Sequence, residues 1–257
     1  MKPWENPIPP VLFKYLHPSR LASLADCRIR FSQRSVFEDT HELQPDVVAF
    51  GTLEEIWRFI ISKGLKLRPG LPTSLLVRLI AETPSAQARA SRTALENMKS
   101  IDEFGVFCLT EAMDSEQMWT EYADKGKGFV IAFDTTHLGF TQLSSPGKFG
   151  KVAYSDEPYG TYLGMLENEG VSFFFRKRMT FAFEREWRSI RALHRLERRP
   201  GDVYVSSFDP ASVTGIIIRS GCVVETQLRD IIASDARYQH VQLANLDEGA
   251  TQPLLPS

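Results

Sequence analysis

Residues 181–192 read Phe-Ala-Phe-Glu-Arg-Glu-Trp-Arg-Ser-Ile-Arg-Ala, a run in which apolar and polar side chains alternate. A period of two predicts a strand. On such a strand Phe181, Phe183 and Trp187 share one face with Arg185, while Glu184, Glu186 and Arg188 share the other. Two carboxylates two positions apart on one strand face interact electrostatically. A core tolerates that pair only where cations or a ligand answer it. The strand is therefore expected near the middle of a sheet, with Phe181, Phe183 and Trp187 buried and the two glutamates opening into a cleft. Two readings of the pair stay open here: a solvated face laced by Arg188 and Arg191, and a site that holds a sugar or a developing positive charge.

The rest of the chain supplies a frame for that strand. Short strands are expected over 11–15, 28–32, 104–110, 128–134, 151–154, 203–208 and 215–219. Helices are expected over 18–26, 114–123, 160–177 and 224–232. Residues 52–99 form a block of helical periodicity between strand-rich flanks, opened by the cap-like Thr52-Leu53-Glu54-Glu55 and broken at Pro84. Together these predict one α+β domain over residues 1–246, with a mixed or antiparallel central sheet and 52–99 as an inserted helical element. Residues 247–257 read as a disordered tail.

Composition excludes several classes. Three widely spaced cysteines in 257 residues do not make a disulfide framework, which points to a reducing, cytoplasmic setting. No run approaches the ~20 apolar residues that span a bilayer, so no membrane partner is expected. The net charge of −2 gives no overall pull toward nucleic acid. The five histidines show no zinc-type spacing, so no metal is expected. No Gly-x-Gly-x-x-Gly follows a strand, and Lys125-Gly126-Lys127-Gly128 lacks the ending of a phosphate-binding loop. Its glycines suit a tight helix-to-strand turn.

Charge is nonetheless uneven. Residues 176–199 carry nine Lys or Arg against three Glu, which concentrates positive charge beside the candidate strand. Arginine forks, Arg188 among them, suit a pyrophosphate or the phosphates of a nucleic acid. The same residues also suit a solvated, salt-bridged face. Trp119 and Tyr122, three apart on a helix, read either as core packing or as an aromatic wall for a planar ring.

Several motifs recur in one order: Phe13-Lys14-Tyr15, Arg30-Phe31-Ser32, Phe37-Glu38-Asp39, Met118-Trp119, Tyr122-Ala123-Asp124, the 128–134 strand, Val152-Ala153-Tyr154 and Glu184-Arg185-Glu186-Trp187-Arg188. In this the chain resembles a bacterial domain-of-unknown-function family, number 2971 of that series, over residues 11–232. It departs from the family at Glu38-Asp39-Thr40-His41-Glu42, where an Asn-Asp-Pro-Phe-Glu string is usual, and at Phe181, where Trp is common. A looser similarity is to the ADP-ribosyltransferases, which share an aromatic-basic first strand, a Phe-Ser second strand and a late Glu-x-Glu strand.

That second resemblance implies NAD as substrate and ADP-ribose transfer to a macromolecule (protein or nucleic acid) or to water, in a setting such as phage defence or a toxin. It implies that Glu186 opposes the oxocarbenium ion and that Glu184 orients or deprotonates the acceptor. It also implies NAD contacts for Lys14, Tyr15, Phe31, Ser32, Trp119, Tyr122 and Arg188. The alternative is a non-catalytic or nucleic-acid-binding module that uses the Arg-rich face.

Overall fold

The computed structural model describes residues 2–37, 43, 78, 82, 102–144, 147–157 and 172–249. The expected helical insertion over 52–99 lies outside the described residues apart from 78 and 82, as do residues 38–42 and those of the expected tail beyond 249. The described residues form an α+β fold. Its elements in chain order are β1 (Val11–Leu16), α1 (Leu21–Ala25), β2 (Arg28–Phe31), β3 (Phe104–Thr110), α2 (Glu116–Tyr122), β4 (Phe129–Asp134), α3 (Thr141–Ser144) and β5 (Lys148–Lys151). There follow β6 (Ala153–Tyr154), β7 (Arg176–Lys177), β8 (Glu186–Ala192), β9 (Glu197–Arg199), β10 (Val203–Ser207), β11 (Val213–Ile218), α4 (Glu225–Ser234) and β12 (Gln242–Asn245).

The main sheet has seven strands in the order β12-β11-β4-β1-β3-β8-β5. Only the β11–β12 pair within it is parallel, so the sheet is mixed with an antiparallel majority. A three-stranded sheet, β2-β10-β9, lies beside it, and β6 pairs with β7 in parallel. Every residue of β4 is buried, because the sheet is covered on both faces. Phe129, Ile131 and Phe133 join Leu12, Phe107, Leu109 and Trp187 in the larger core. Val130 and Ala132 face the other way, onto Phe13, Tyr15, Met118 and Trp119.

One irregularity in this sheet makes room for a site. β1 pairs with β4 along its whole length but meets β3 at a single register pair, Phe13 with Thr110. Beyond that point the two strands splay. The Cys108 carbonyl, which would otherwise bond a β1 amide, accepts from the Lys14 Nζ at 2.9 Å instead. Ser32, just past β2, bridges to Val106 of β3 through paired backbone bonds of 2.8 Å. The smaller sheet is thereby joined to the larger one across the splay.

The glutamate segment differs from its expected form. β8 begins at Glu186, not near 181. Met179–Glu184 is a 3-10 turn, and Arg185 closes it in the left-handed conformation at φ 44°. The alternating pattern continues through this turn, but strand pairing does not. β3 ends at Thr110 opposite Glu186, so 179–184 has no neighbouring strand to bond. The Arg185 and Phe181 amides bond back to the Ala182 and Arg178 carbonyls instead. Consequently Phe181 and Phe183 are only partly buried, whereas Trp187 is 1% exposed.

The expected helix over 160–177 falls mostly outside the described residues. Its end is a 3-10 turn, Ser172–Phe175, followed by β7. The expected strand over 151–154 is divided at Val152, whose amide bonds the Glu186 carbonyl. In the turn after α2, Asp124, Lys125 and Gly126 take positive φ. Gly128 is required for a different reason, since a Cβ there would lie 2.1 Å from the Leu16 carbonyl oxygen.

Candidate active site

A cavity of about 550 Å³ occupies the splay between β1 and β3. Glu184 and Glu186 close its buried end, at 3% and 4% exposure. Their convergence follows from the backbone. Glu186 opens β8 on the face it shares with Arg188, and the left-handed Arg185 joins it to a turn whose last residue is Glu184. Two bonds from neighbouring residues pin this joint: Glu111 N–H donates to the Arg185 carbonyl at 3.2 Å, and Thr110 Oγ1 donates to the Glu184 carbonyl. The Glu111 carboxylate also accepts from Arg185 Nη2 at 3.0 Å and from Trp187 Nε1 at 2.8 Å.

The two carboxylates sit in unequal surroundings. Glu186 accepts a fork from Arg188, with Nε at 2.9 Å and Nη2 at 2.8 Å, and Arg188 is itself fully buried. Glu184 accepts from Lys177 Nζ at 2.9 and 2.7 Å and from the Tyr122 hydroxyl at 2.6 Å. Lys177 also lies 3.8 Å from Glu186. Burial and the neighbouring Glu186 charge push the Glu184 carboxyl up to about 7, against the pull of Lys177 and Tyr122. Burial alone would raise Glu186 too, but the charges of Arg188 and Lys177 outweigh it and hold that carboxyl well below the usual carboxylate range. One carboxyl is therefore ionised throughout the physiological range while its neighbour is poised to exchange a proton.

Residues 118–189 match a family model described as "Protein of unknown function (DUF2971)". The matched stretch runs from α2 into β8 and contains Tyr122, Lys177, Glu184, Glu186 and Arg188, the whole of the carboxylate network just described. The description states no activity. No curated protein and no solved structure matches the chain.

Of the residues that sequence reasoning singled out, the cavity brings together Lys14, Tyr15, Ser32, Tyr122, Glu184 and Glu186. Three others stand elsewhere. Phe31 and Trp119 are each 1% exposed; Phe31 packs on Phe107, and Trp119 meets Tyr15 edge-on at 5.1 Å. Arg188 is buried on Glu186 and on the Phe174 carbonyl at 2.6 Å, so it orients a carboxylate and does not line the cavity. Tyr15 offers the cavity its ring alone, because its hydroxyl donates to the Ala112 and Met113 carbonyls at 3.0 and 2.7 Å.

Several arginines of 176–199 are engaged by the protein itself. Arg185 bonds Glu111, Arg191 stacks on Phe31 and bonds Ser206, Arg198 pairs with Asp202, and Arg199 pairs with Glu197 and Asp26. The basic residues on the cavity wall are Lys14, Arg30 and Lys177. Sequence reasoning missed Lys177 and Arg30 as site residues. Lys177 reaches Glu184 through the β6–β7 pair, which no local periodicity announces. Arg30 did carry a signal, because the β2 alternation puts it opposite the buried Ile29 and Phe31. Among the described residues no group of three His, Cys, Asp or Glu is placed to hold a metal, and no helix is long and apolar enough to cross a membrane.

Proposed function

We propose that the cavity binds NAD and cleaves the bond between nicotinamide and its ribose, passing ADP-ribose to a macromolecule or to water. The observation that carries this reading is the pair of carboxylates at one end of a single cavity, with protonation behaviour driven apart by their partners. As the C1′–N bond breaks, its electron pair leaves with nicotinamide and positive charge develops on the ribose. Glu186, ionised and fixed by Arg188, opposes that charge from a buried position. An acceptor hydroxyl or water then bonds C1′ and yields its proton to Glu184, whose carboxyl is near its point of half-ionisation at neutral pH.

The walls support the same reading. The Tyr15 and Tyr122 rings and Phe181 offer flat apolar surface, and Ser32 offers a hydroxyl. Such chemistry suits a toxin or a phage-defence enzyme, whose purpose is served by consuming NAD or modifying a macromolecule. A ligand that binds only the native state must raise its stability. NAD is expected to raise the thermal midpoint of the full chain, and ATP to raise it less. Equal shifts with both nucleotides, or none with NAD, would count against the assignment.

A further inference from the structure

β2 alternates a buried residue with one facing outward, and its two outward arginines have different fates. Arg28 pairs with Glu197 of β9. Arg30 lines the cavity, where its Nε is buried and meets no acceptor among the described residues. Among the described residues no carboxylate forms an ion pair with Arg30. Glu121, on the cavity wall, accepts instead from Gln117 at 3.0 Å. Burial and the charge of nearby Arg20, itself exposed, both push the Arg30 guanidinium below its ordinary value, so its surroundings add positive potential and do not relieve it. A half-buried cation without an acid is costly unless something else answers it. A guanidinium fork is well shaped for phosphoryl oxygens.

The position of Arg30 is also informative. Ser32 is bridged to Val106, and Glu186 stands opposite Thr110. Because that bridge is antiparallel, Arg30 lies level with Cys108, two residues along β3 from Thr110, or roughly 7 Å at the usual rise per residue. Neither glutamate is among the charges that act on Arg30, so the cavity holds, apart from its carboxylates, an arginine with no acid partner among the described residues.

We propose that Arg30 forms an anion subsite that takes a phosphoryl group of the substrate. The subsite stands on Arg30 itself; it rests on the NAD reading only in naming the molecule whose other end meets the glutamates. Inorganic pyrophosphate and ADP are the probes, titrated calorimetrically into the full chain at low salt. Both are expected to bind the wild type. Arg30→Gln is expected to weaken both at least tenfold, Arg30→Lys to weaken them less, and Arg28→Gln, outside the cavity, to leave them unchanged. Near-UV circular dichroism shows whether each variant keeps its packing, and the Lys variant preserves the charge should the Gln variant lose it.

Absence of pyrophosphate binding by the wild type, or an equal loss in the Arg28 and Arg30 variants, overturns the subsite. The two assignments fail separately. Pyrophosphate binding lost on Arg30→Gln in a protein that never releases nicotinamide sustains the subsite and removes the NAD reading. Nicotinamide release whose KM is unchanged by Arg30→Gln sustains the chemistry and removes the subsite.

Discussion

Glu184 is held by Lys177 on both oxygens and by Tyr122 on one, and this combination sets the pH at which it can accept a proton. A general base works in its ionised form, so ADP-ribose transfer should rise as pH increases through about 7. Tyr122 donates to the carboxylate and favours ionisation. Tyr122→Phe should therefore move the rising limb to higher pH while leaving the plateau within a few-fold of wild type, as a pH profile of nicotinamide release will show. Glu186 makes a different demand. Glu186→Gln removes the charge proposed to oppose the oxocarbenium ion, but it also strands Arg188 in a buried position without its partner. Breaking such a pair costs about 3–5 kcal/mol, whereas replacing both members with well-packed residues is far milder. Chemical denaturation should find Glu186→Gln severely destabilised and Glu186→Gln/Arg188→Met largely restored, with both inactive. Comparable stability for the single variant and wild type would mean that the fork contributes little to the fold.

The joint between the 3-10 turn and β8 is the element on which the site depends. A non-glycine residue at φ 44° carries a conformational cost of order 1 kcal/mol, met here by the Glu111 and Thr110 bonds on either side. Glycine adopts that conformation freely and β-branched residues resist it. Arg185→Gly should consequently stay within about 1 kcal/mol of wild type, while Arg185→Val should cost more than its lost Glu111 pair explains. Thermal midpoints of the two variants decide this, and equal values would show that backbone conformation at Arg185 is not limiting.

The same joint shows how far sequence reading reaches. β3 over 104–110 and the later part of β8 were legible because their side chains obey the strand period where strands pair. The 179–184 turn was not, because its residues keep the alternation after the pairing partner has ended. Arg188 was assigned to the face it does occupy. What alternation could not reveal is that it turns back onto Glu186, two residues away, and closes the pair internally.

At the scale of the whole molecule, the site exists because two strands part. β1 and β3 share one register pair, and the gap is bordered by β2 of the smaller sheet, α2, and the turn before β8. Sequence motifs from both ends of the chain meet there. Lys14, Tyr15 and Ser32 come from the N-terminal strands, and Tyr122, Glu184 and Glu186 from the stretch similar to DUF2971. The six could be singled out from the sequence. Their meeting in one cavity, and the presence of Lys177 and Arg30 among them, depends on long-range pairing that no single segment encodes.

The claim that this assembly cleaves NAD is tested most directly by following nicotinamide release from NAD by the full chain, with water or a cell extract as acceptor, for wild type and Glu184→Gln. The account predicts release by the wild type. Glu184→Gln should lose about 10²–10⁴-fold in transfer to the extract, and less in hydrolysis, because water needs less help from a base. No release by the wild type with any acceptor, or equal rates for wild type and Glu184→Gln, would contradict it and leave the glutamates as structural members of a buried ion network.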